Sequence, residues 1–302
     1  MPRILLTGAN GFVGSHVLNH FIALGWDVVI TLRGDSDCWR IESQINEVSV
    51  INLDEISVEK IFVEHQIDCV VHLATLYRKN DDLEELESLI ESNVIFPLAL
   101  AFEAHKSGVR AFINTGTFFE FAQSDEKLNE NSERKPINNY AATKIAFSKQ
   151  LEKYKAHMSI VELVLFSPYG PADNEKLIPY IIKNLLKLQR PKLQQGNNQI
   201  DLVYVADIAK AFEKAVSYVI KSDPGFERVN IASGKTISIK EVSLLLQDTI
   251  SSSFECEFGA VDRPIRVEAD ISKAKSFLNW QPVTPLEHGL ENTVSYYKEL
   301  AR

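Results

Sequence analysis

The sequence predicts a doubly wound α/β fold, a parallel sheet with helices on both faces, followed by a smaller mixed α/β lobe. Two patterns predict it. Through the first half of the chain, short apolar runs alternate with amphipathic helix-like stretches. After Pro168-Tyr169-Gly170-Pro171 that alternation breaks, and helical patterns mix with short strand-like runs.

Taken in order, the apolar runs place strands at 3–6, 27–32, 48–51, 69–73, 111–114 and 160–165. Apolar residues at helical spacing place helices at 14–24, 56–65, 83–106 and 139–154. The acids Asp81, Asp82, Glu84, Glu85, Glu87 and Glu91 suit a solvated helix start, where the N-terminal end of the dipole is positive. Later helices fit 177–188, 205–219 and 238–249, with strands near 229–231 and 254–258. A last helix follows Pro282 and Pro285. The expected division is 1–166 and 167–302, with segments near 200–232 returning to the larger unit.

Composition excludes several partners. A formal charge of −9 argues against nucleic acid or an anionic membrane. No apolar run approaches membrane-spanning length. Cys38, Cys69 and Cys256 are odd in number, far apart and without metal-ligand spacing. With a strand expected from the first residues, a cytoplasmic protein without a resident metal is the expectation. At 45 % hydrophobic content, 302 residues can bury a large core.

The chemistry begins at Thr7-Gly8-Ala9-Asn10-Gly11-Phe12-Val13-Gly14, directly behind Ile4-Leu5-Leu6. A buried strand runs into three glycines and then into a helix. That is the context in which a glycine turn holds a dinucleotide pyrophosphate. Gly8 permits the turn, Gly11 lets backbone approach phosphate, and Gly14 lets the helix pack on the strand. The second strand ends on Thr31-Leu32-Arg33, with no acid for a ribose 2′-hydroxyl. An arginine there suits a 2′-phosphate, so NADP(H) is the expected cofactor. Farther on, Tyr140 and Lys144 lie four apart on one helix face. An ammonium beside a phenol favours the phenolate and readies it for proton exchange.

With these motifs in place the chain resembles the extended short-chain dehydrogenase/reductase family, from Pro2 to about Pro282. The resemblance implies a Rossmann sheet, Tyr140 and Lys144 as catalytic residues, and nucleotide-activated sugars as substrates. It places Thr115, four before the aromatic Phe119, as the third catalytic residue, with Thr117 the competing choice. It places cofactor contacts at Gly8, Asn10, Gly11, Phe12, Val13, Arg33, Asn52, Leu53, Leu73, Ala74, Thr75 and Asn93, with Asn93 supporting the site backbone. Substrate contacts fall on Thr117, Ser167 and Arg263, the last matching a diphosphate arginine. Ile200 stands where the family's other diphosphate arginine is frequent, and Ser167 where Asn is usual. A homodimer through the helices at 83–106 and 139–154 is also implied.

Sugar dehydratases of the family follow the catalytic threonine with Asp and Glu, the acid–base pair for eliminating water. Gly116 and Thr117 cannot do that work. Reduction of a 4-ketone with NADPH is therefore expected, in likeness to the CDP-abequose and CDP-paratose synthase branch. Its shared motifs include Tyr169-Gly170-Pro171-x-Asp173 and Phe258-Gly259-Ala260. A 4-epimerase with tightly held NAD is the nearest alternative. A dinucleotide-sensing protein without turnover comes from another class, and such proteins often lack a Tyr–Lys pair.

Overall fold

Seven parallel strands are packed between helices, and the order in which the chain visits them opens a crevice. The computed structural model describes residues 2–78, 82–173, 176–194, 196–259 and 264–301. The first half runs β1 (Arg3–Thr7), α1 (Phe12–Ala23), β2 (Asp27–Leu32), β3 (Ser49–Asn52), α2 (Val58–Glu64) and β4 (Cys69–His72). It continues through α3 (Leu83–Ile90), a π-helical turn (Glu91–Ile95), α4 (Phe96–Lys106), β5 (Ala111–Thr117), a 3-10 turn (Phe118–Glu120), α5 (Asn139–Leu151) and β6 (Ser159–Leu165).

The second half of the chain follows with β7 (Pro168–Tyr169), α6 (Leu177–Leu186), β8 (Lys192–Leu193), β9 (Gln199–Ile200), β10 (Val203–Tyr204) and α7 (Val205–Val219). Then come β11 (Gly225–Ile231), β12 (Ile237–Ser238), α8 (Ile239–Ile250), β13 (Glu257–Phe258), α9 (Ser272–Leu278) and α10 (Leu286–Leu300).

The sheet order is β11-β6-β5-β4-β1-β2-β3. The chain winds outward from β1 through β2 and β3, then crosses back to β4 and winds the other way. That reversal between β1 and β4 leaves a crevice at the carboxyl ends of the strands, where such sheets bind ligands. Helices cover both faces, which is why β1, β4 and β6 read as nearly unbroken apolar runs. One core gathers Ile4, Leu6, Val17, Phe21, Ile113, Phe212 and Val229; the other gathers Leu5, Val29, Val70, Phe112, Leu100 and Phe147. A third, around Ile181, Leu246 and Leu290, fills the space between α6, α8 and α10.

Two buried aspartates tie the later segments together. Asp201 accepts from Ser233 N at 2.7 Å, Gly234 N at 3.0 Å and Ala269 N at 3.1 Å. Asp207 accepts from Val283 N at 3.1 Å and Thr284 N at 2.8 Å. Between these anchors α7 packs on α1, and β11 pairs with β6 along seven residues.

Several elements depart from the sequence expectations. The helix expected at 83–106 is broken at its centre by the π turn, which contains the buried Asn93. The strand expected to stop at Asn114 runs on to Thr117, so Thr115 and Thr117 share one face of β5 and Gly116 takes the other. The expected strand over 254–258 narrows to Glu257–Phe258, paired with Lys192–Leu193. Helix α9 was not anticipated: only two of its seven residues, Ala274 and Leu278, are buried, too few for a visible period.

The tightest contact in the first crossover lies between α1 and its own turn. A Cβ at Gly14 would stand 1.9 Å from the Gly8 carbonyl oxygen. Gly14→Ala is expected to destabilise the protein by about 1–3 kcal/mol, the cost of overpacking a close contact, read by urea denaturation.

Candidate active site

The glycine turn begins with Gly8 at φ +74°, a conformation that an L side chain rarely adopts. A Cβ there would also meet Ala74 N at 2.5 Å. Gly11 is the N-cap of α1, and Gly8 O, at 3.2 Å, is the single atom near a Cβ built on it. No side chain caps the helix and no acid lies in its first turn. The first-turn N–H groups of a twelve-residue helix therefore lack side-chain partners at an open position. Uncapped donors at the positive end of a helix fit a diphosphate. Asn10 donates to Asp37 O at 3.1 Å and ties the turn to the segment after β2. Phe12 is buried and Val13 half-buried on the helix.

Arg33, Asn52 and Leu53 come together at the carboxyl ends of β2 and β3. Leu53 N donates to Leu32 O at 2.8 Å. Arg33 is exposed, and its backbone N–H is held by Ser36 Oγ at 3.0 Å. Asn52 accepts from Asp54 N at 3.1 Å and donates to Glu55 at 2.9 Å. Asp54 in turn accepts from Gly34 N at 2.7 Å, which brings a carboxylate beside Arg33.

Leu73, Ala74 and Thr75 follow β4, next to the glycine turn. Leu73 N donates to Thr7 O at 3.1 Å, and Ala74 N to Thr7 Oγ1 at 3.2 Å. His72 is buried and meets Thr7 Oγ1 through Nδ1 at 2.8 Å. Burial, then the Lys144 charge, hold its imidazole well below the usual range and keep it neutral.

Asn93 is the staple of this edge. Its Oδ1 accepts from Thr75 Oγ1 at 3.0 Å and Leu76 N at 2.8 Å. Its Nδ2 donates to Leu76 O at 2.9 Å and Thr143 Oγ1 at 3.1 Å. Both donors and both lone pairs are consumed. The amide thus supports the segment after β4 and fastens it to α5, with no capacity left for a direct cofactor contact. Asn93→Ala is expected to cost about 1–3 kcal/mol, because the backbone groups of Leu76 lose their partner. The shift of the urea midpoint measures it.

Tyr140, Lys144 and Ser148 recur at four-residue spacing along α5, all buried. Asn138 caps this helix, accepting from Ala141 N at 2.8 Å, so Tyr140 sits in its first turn. The phenol lies against the Thr75 hydroxyl, and the Tyr77 ring stands edge-on to it at 5.0 Å. Its electrostatics differ from the sequence expectation. Burial raises the Tyr140 phenol well above its usual range, and the Glu120 charge raises it further. Burial pulls the Lys144 ammonium itself down, while Glu120 and Glu162 pull it up.

Thr115 Oγ1 donates to His72 O at 2.9 Å, so its proton is committed to β4 and its lone pairs remain free to accept. Thr117 is buried, and its hydroxyl accepts from Phe119 N at 3.4 Å. Ser167 closes β6 at φ 22°, and its carbonyl accepts from Val203 N at 3.3 Å. Ile200 pairs with Ile237 of β12. Arg263 and Ala260 lie outside the described residues, as does Asp81. Among the described residues no His, Cys, Asp and Glu cluster could hold a metal ion, and no helix is long and apolar enough to cross a membrane.

Sequence reasoning missed the charged layer beneath these residues. Glu120, fully buried, accepts from Thr117 N at 2.9 Å and pairs with Arg134 and, at 3.1 Å, with Arg228. Glu162, also fully buried, accepts from Asn114 Nδ2 at 2.8 Å and Ser148 Oγ at 3.0 Å. Arg228 Nε stands 2.8 Å from Glu162, off its N–H axis, so that contact is ionic. One signal was available: Glu162 interrupts the apolar run Ile160-Val161-Glu162-Leu163-Val164-Leu165.

Residues 4–232 match the model of the NAD dependent epimerase/dehydratase family. The chain is 30 % identical to a CDP-abequose synthase of Salmonella typhimurium over 95 % of this chain and 96 % of that protein. It is 26 % identical to a UDP-glucuronate 4-epimerase of Thermodesulfobacterium geofontis, over 99 % of this chain and 97 % of that one. Among solved structures, a UDP-glucose 4-epimerase from Thermotoga maritima, with UDP-glucose, superposes with a TM-score of 0.89 at 25 % identity. That superposition covers 99 % of this chain and 100 % of the other. With its glycine turn, switch-point crevice and Tyr140–Lys144 helix, the chain belongs to the NAD dependent epimerase/dehydratase family and is a nicotinamide-dinucleotide enzyme of the extended short-chain dehydrogenase/reductase type.

Proposed function

We propose that the protein reduces the 4-keto group of a deoxy or dideoxy nucleotide sugar, CDP-, dTDP- or GDP-linked, with NADPH. The observation that carries this reading is the buried Tyr140–Lys144 pair on one face of α5 at the crevice, with no acid–base pair for elimination at Gly116 and Thr117. A side chain at Gly116 would begin 3.0 Å from the Glu120 carboxylate, and the Thr117 hydroxyl is turned to its own 3-10 turn. Neither position supplies what dehydration needs. The likeness to CDP-abequose synthase, at 30 % identity, supports the same chemistry.

Bound at the uncapped end of α1, the dinucleotide would supply a hydride to C4. Tyr140 gives its proton to the C4 oxygen. Lys144 holds the nicotinamide ribose and neutralises the phenolate left behind. Thr115 steadies the oxygen once its hydroxyl swings away from His72 O. Gly8, Gly11 and Gly14 cradle the pyrophosphate. The apolar residues Leu83, Ile95 and Phe102, exposed along α3, the π turn and α4, support a homodimer through these helices.

A second reading, a 4-epimerase retaining NAD, draws on Asp54. Its carboxylate, from the segment after β3, accepts from Gly34 N and so brings an acid to the end of β2, the region where an acid can take a ribose hydroxyl. The cofactor decides between them. Calorimetry is expected to give at least about tenfold tighter binding of NADPH than NADH, near 1.4 kcal/mol. Arg33→Ala is expected to erase most of it; equal binding by the wild type would remove the case for NADPH.

Turnover separates the reactions directly. Reduction consumes NADPH one for one with a 4-keto-6-deoxy or 3,6-dideoxy nucleotide sugar, and 4-deuterated NADPH leaves deuterium on C4. Tyr140→Phe is expected to lower kcat by about 10²–10⁴-fold with cofactor binding intact. Interconversion of two 4-hydroxy sugars without net NADPH loss would establish the epimerase instead.

A further inference from the structure

We propose that Arg40 and His16 are positioning residues that tie segment 171–173, beyond the end of β6, to the dinucleotide turn, so that a dinucleotide bound there orders that segment. The link needs only a dinucleotide at the glycine turn. Its consequence for a substrate rests on the reading of Ser167, at the start of the same stretch, as a substrate contact.

The stretch leaves the carboxyl end of β6 at Ser167 and pairs with β10 only at Pro168 and Tyr169. It then turns through Gly170, at φ 155°, and Ala172, at φ 61°. Ala172 lies in the left-handed region, which a residue with a Cβ keeps only where its surroundings fix it. Here the carbonyls of three consecutive residues are each held by a side chain from a different part of the chain. His16 Nε2 donates to Pro171 O at 2.9 Å, Arg40 Nε to Ala172 O at 2.9 Å, and Tyr297 Oη to Asp173 O at 2.9 Å. A carbonyl only accepts, so the His16 proton stands on Nε2. Helix α1 supplies the first donor, the segment after β2 the second, and α10 the third.

Two of these donors belong to the surroundings of the dinucleotide turn. His16 lies one turn into α1, the helix whose uncapped N-terminus opens on that turn, and its ring stands edge-on to Phe12 at 5.7 Å. Lys176, just past the segment, adds to the same side: its ammonium lies 5.9 Å over the Phe12 ring and 4.0 Å from Asp173 Oδ1. Arg40 lies in a stretch without strand or helix, between β2 and the 3-10 turn Ile45–Glu47. Asn10 of the glycine turn fastens that stretch by donating to Asp37 O at 3.1 Å. Asp37 Oδ1 accepts from Trp39 N at 3.2 Å, and the Arg40 guanidinium lies 4.2 Å over the Trp39 ring. Ile41, fully buried, anchors the far side of Arg40.

Segment 171–173 thus has turn backbone, one left-handed alanine and no strand partner of its own. Its place is set by donors that reach it from elsewhere, and Arg40 reaches it from a stretch that is itself held to Asn10. A dinucleotide seated on the glycine turn and the start of α1 fixes both supports, and with them the carbonyls they serve. By linkage, a ligand that orders the segment tightens the dinucleotide by the same factor.

Amide hydrogen exchange of the full chain, followed by mass spectrometry, reads this without substrate. Exchange is compared with and without saturating dinucleotide, NADPH or NAD, whichever calorimetry shows to bind more tightly. In the wild type the dinucleotide is expected to slow exchange over 7–17 and, about tenfold, over 169–173. Arg40→Met keeps an apolar stem and removes the donor; the slowing over 169–173 is expected to fall below about threefold while that over 7–17 stays. His16→Leu is expected to do the same. His16→Gln keeps an N–H at similar reach and is expected to behave as wild type. A merely structural role would speed exchange alike with and without dinucleotide and leave their ratio unchanged, so the ratio decides. The two donors sit on different elements, and a folding defect in one variant leaves the other to decide. Overturning results are wild-type exchange slowed over 7–17 but not over 169–173, an unchanged ratio in Arg40→Met or in His16→Leu, or His16→Gln matching His16→Leu. If neither dinucleotide slows exchange over 7–17, the dinucleotide site itself falls, and the proposal with it. A finding of epimerisation in place of reduction leaves the exchange result standing.

Discussion

Two carboxylates have been taken fully out of water between β5, β6, β11 and α5, and they can stay there only by pairing with the largely buried guanidiniums of Arg228 and Arg134. Glu120, Arg134, Arg228 and Glu162 form a chain of contacts, with Asn114 and Ser148 filling the remaining acceptor sites of Glu162. Losing one partner of a buried pair leaves a charge without compensation, at a cost of about 3–5 kcal/mol. Each member therefore dictates the place of the next. Arg134 pulls in the loop before α5, Arg228 fixes β11 against β6, and Glu120 holds the backbone of Thr117. The end of β5 and the start of α5, which carry Thr115 and Tyr140, inherit their positions from this layer.

At the other side of the crevice the constraint is steric. Gly14 lets α1 approach the Gly8 carbonyl, and Gly8 turns the backbone beneath Ala74. The helix end is left without a side-chain cap, so its N–H groups await an anion. Asn93 then joins the two sides, with three hydrogen bonds to the segment after β4 and one to α5. The crevice is thus framed by a charged layer, a steric contact and one fully engaged amide. All three are fixed before any ligand enters, which favours a preorganised site.

Much of this was legible in the chain. The apolar runs gave the strands because a parallel sheet is buried on both faces and leaves no polar alternation to confuse. The glycine turn was legible because close approach and positive φ restrict the residue type. Tyr140 and Lys144 were legible because helical spacing puts i and i+4 on one face. The π turn at Asn93 was not, since its residues are ordinary helix formers and the extra backbone residue is set by what Asn93 reaches. The extension of β5 to Thr117 was hidden by Gly116, which reads as a turn residue, and by threonines that suit strand and loop alike.

The sequence by itself determined the elements, their order, the dinucleotide turn and the pair of residues that can move a proton. These are local: each follows from side chains a few positions apart and from the backbone conformations they allow. Only the tertiary structure decided the electrostatic character of that pair. Spacing alone put an ammonium beside a phenol and implied an easily ionised tyrosine. Folding buried the phenol and brought the charge of Glu120, twenty residues earlier, to bear on it, and both act against the phenolate. Arg228, which clamps Glu120, comes from the last strand of the sheet. Desolvation and charge act through space over distances that chain order does not record, and for that reason the protonation state of the site belongs to the fold.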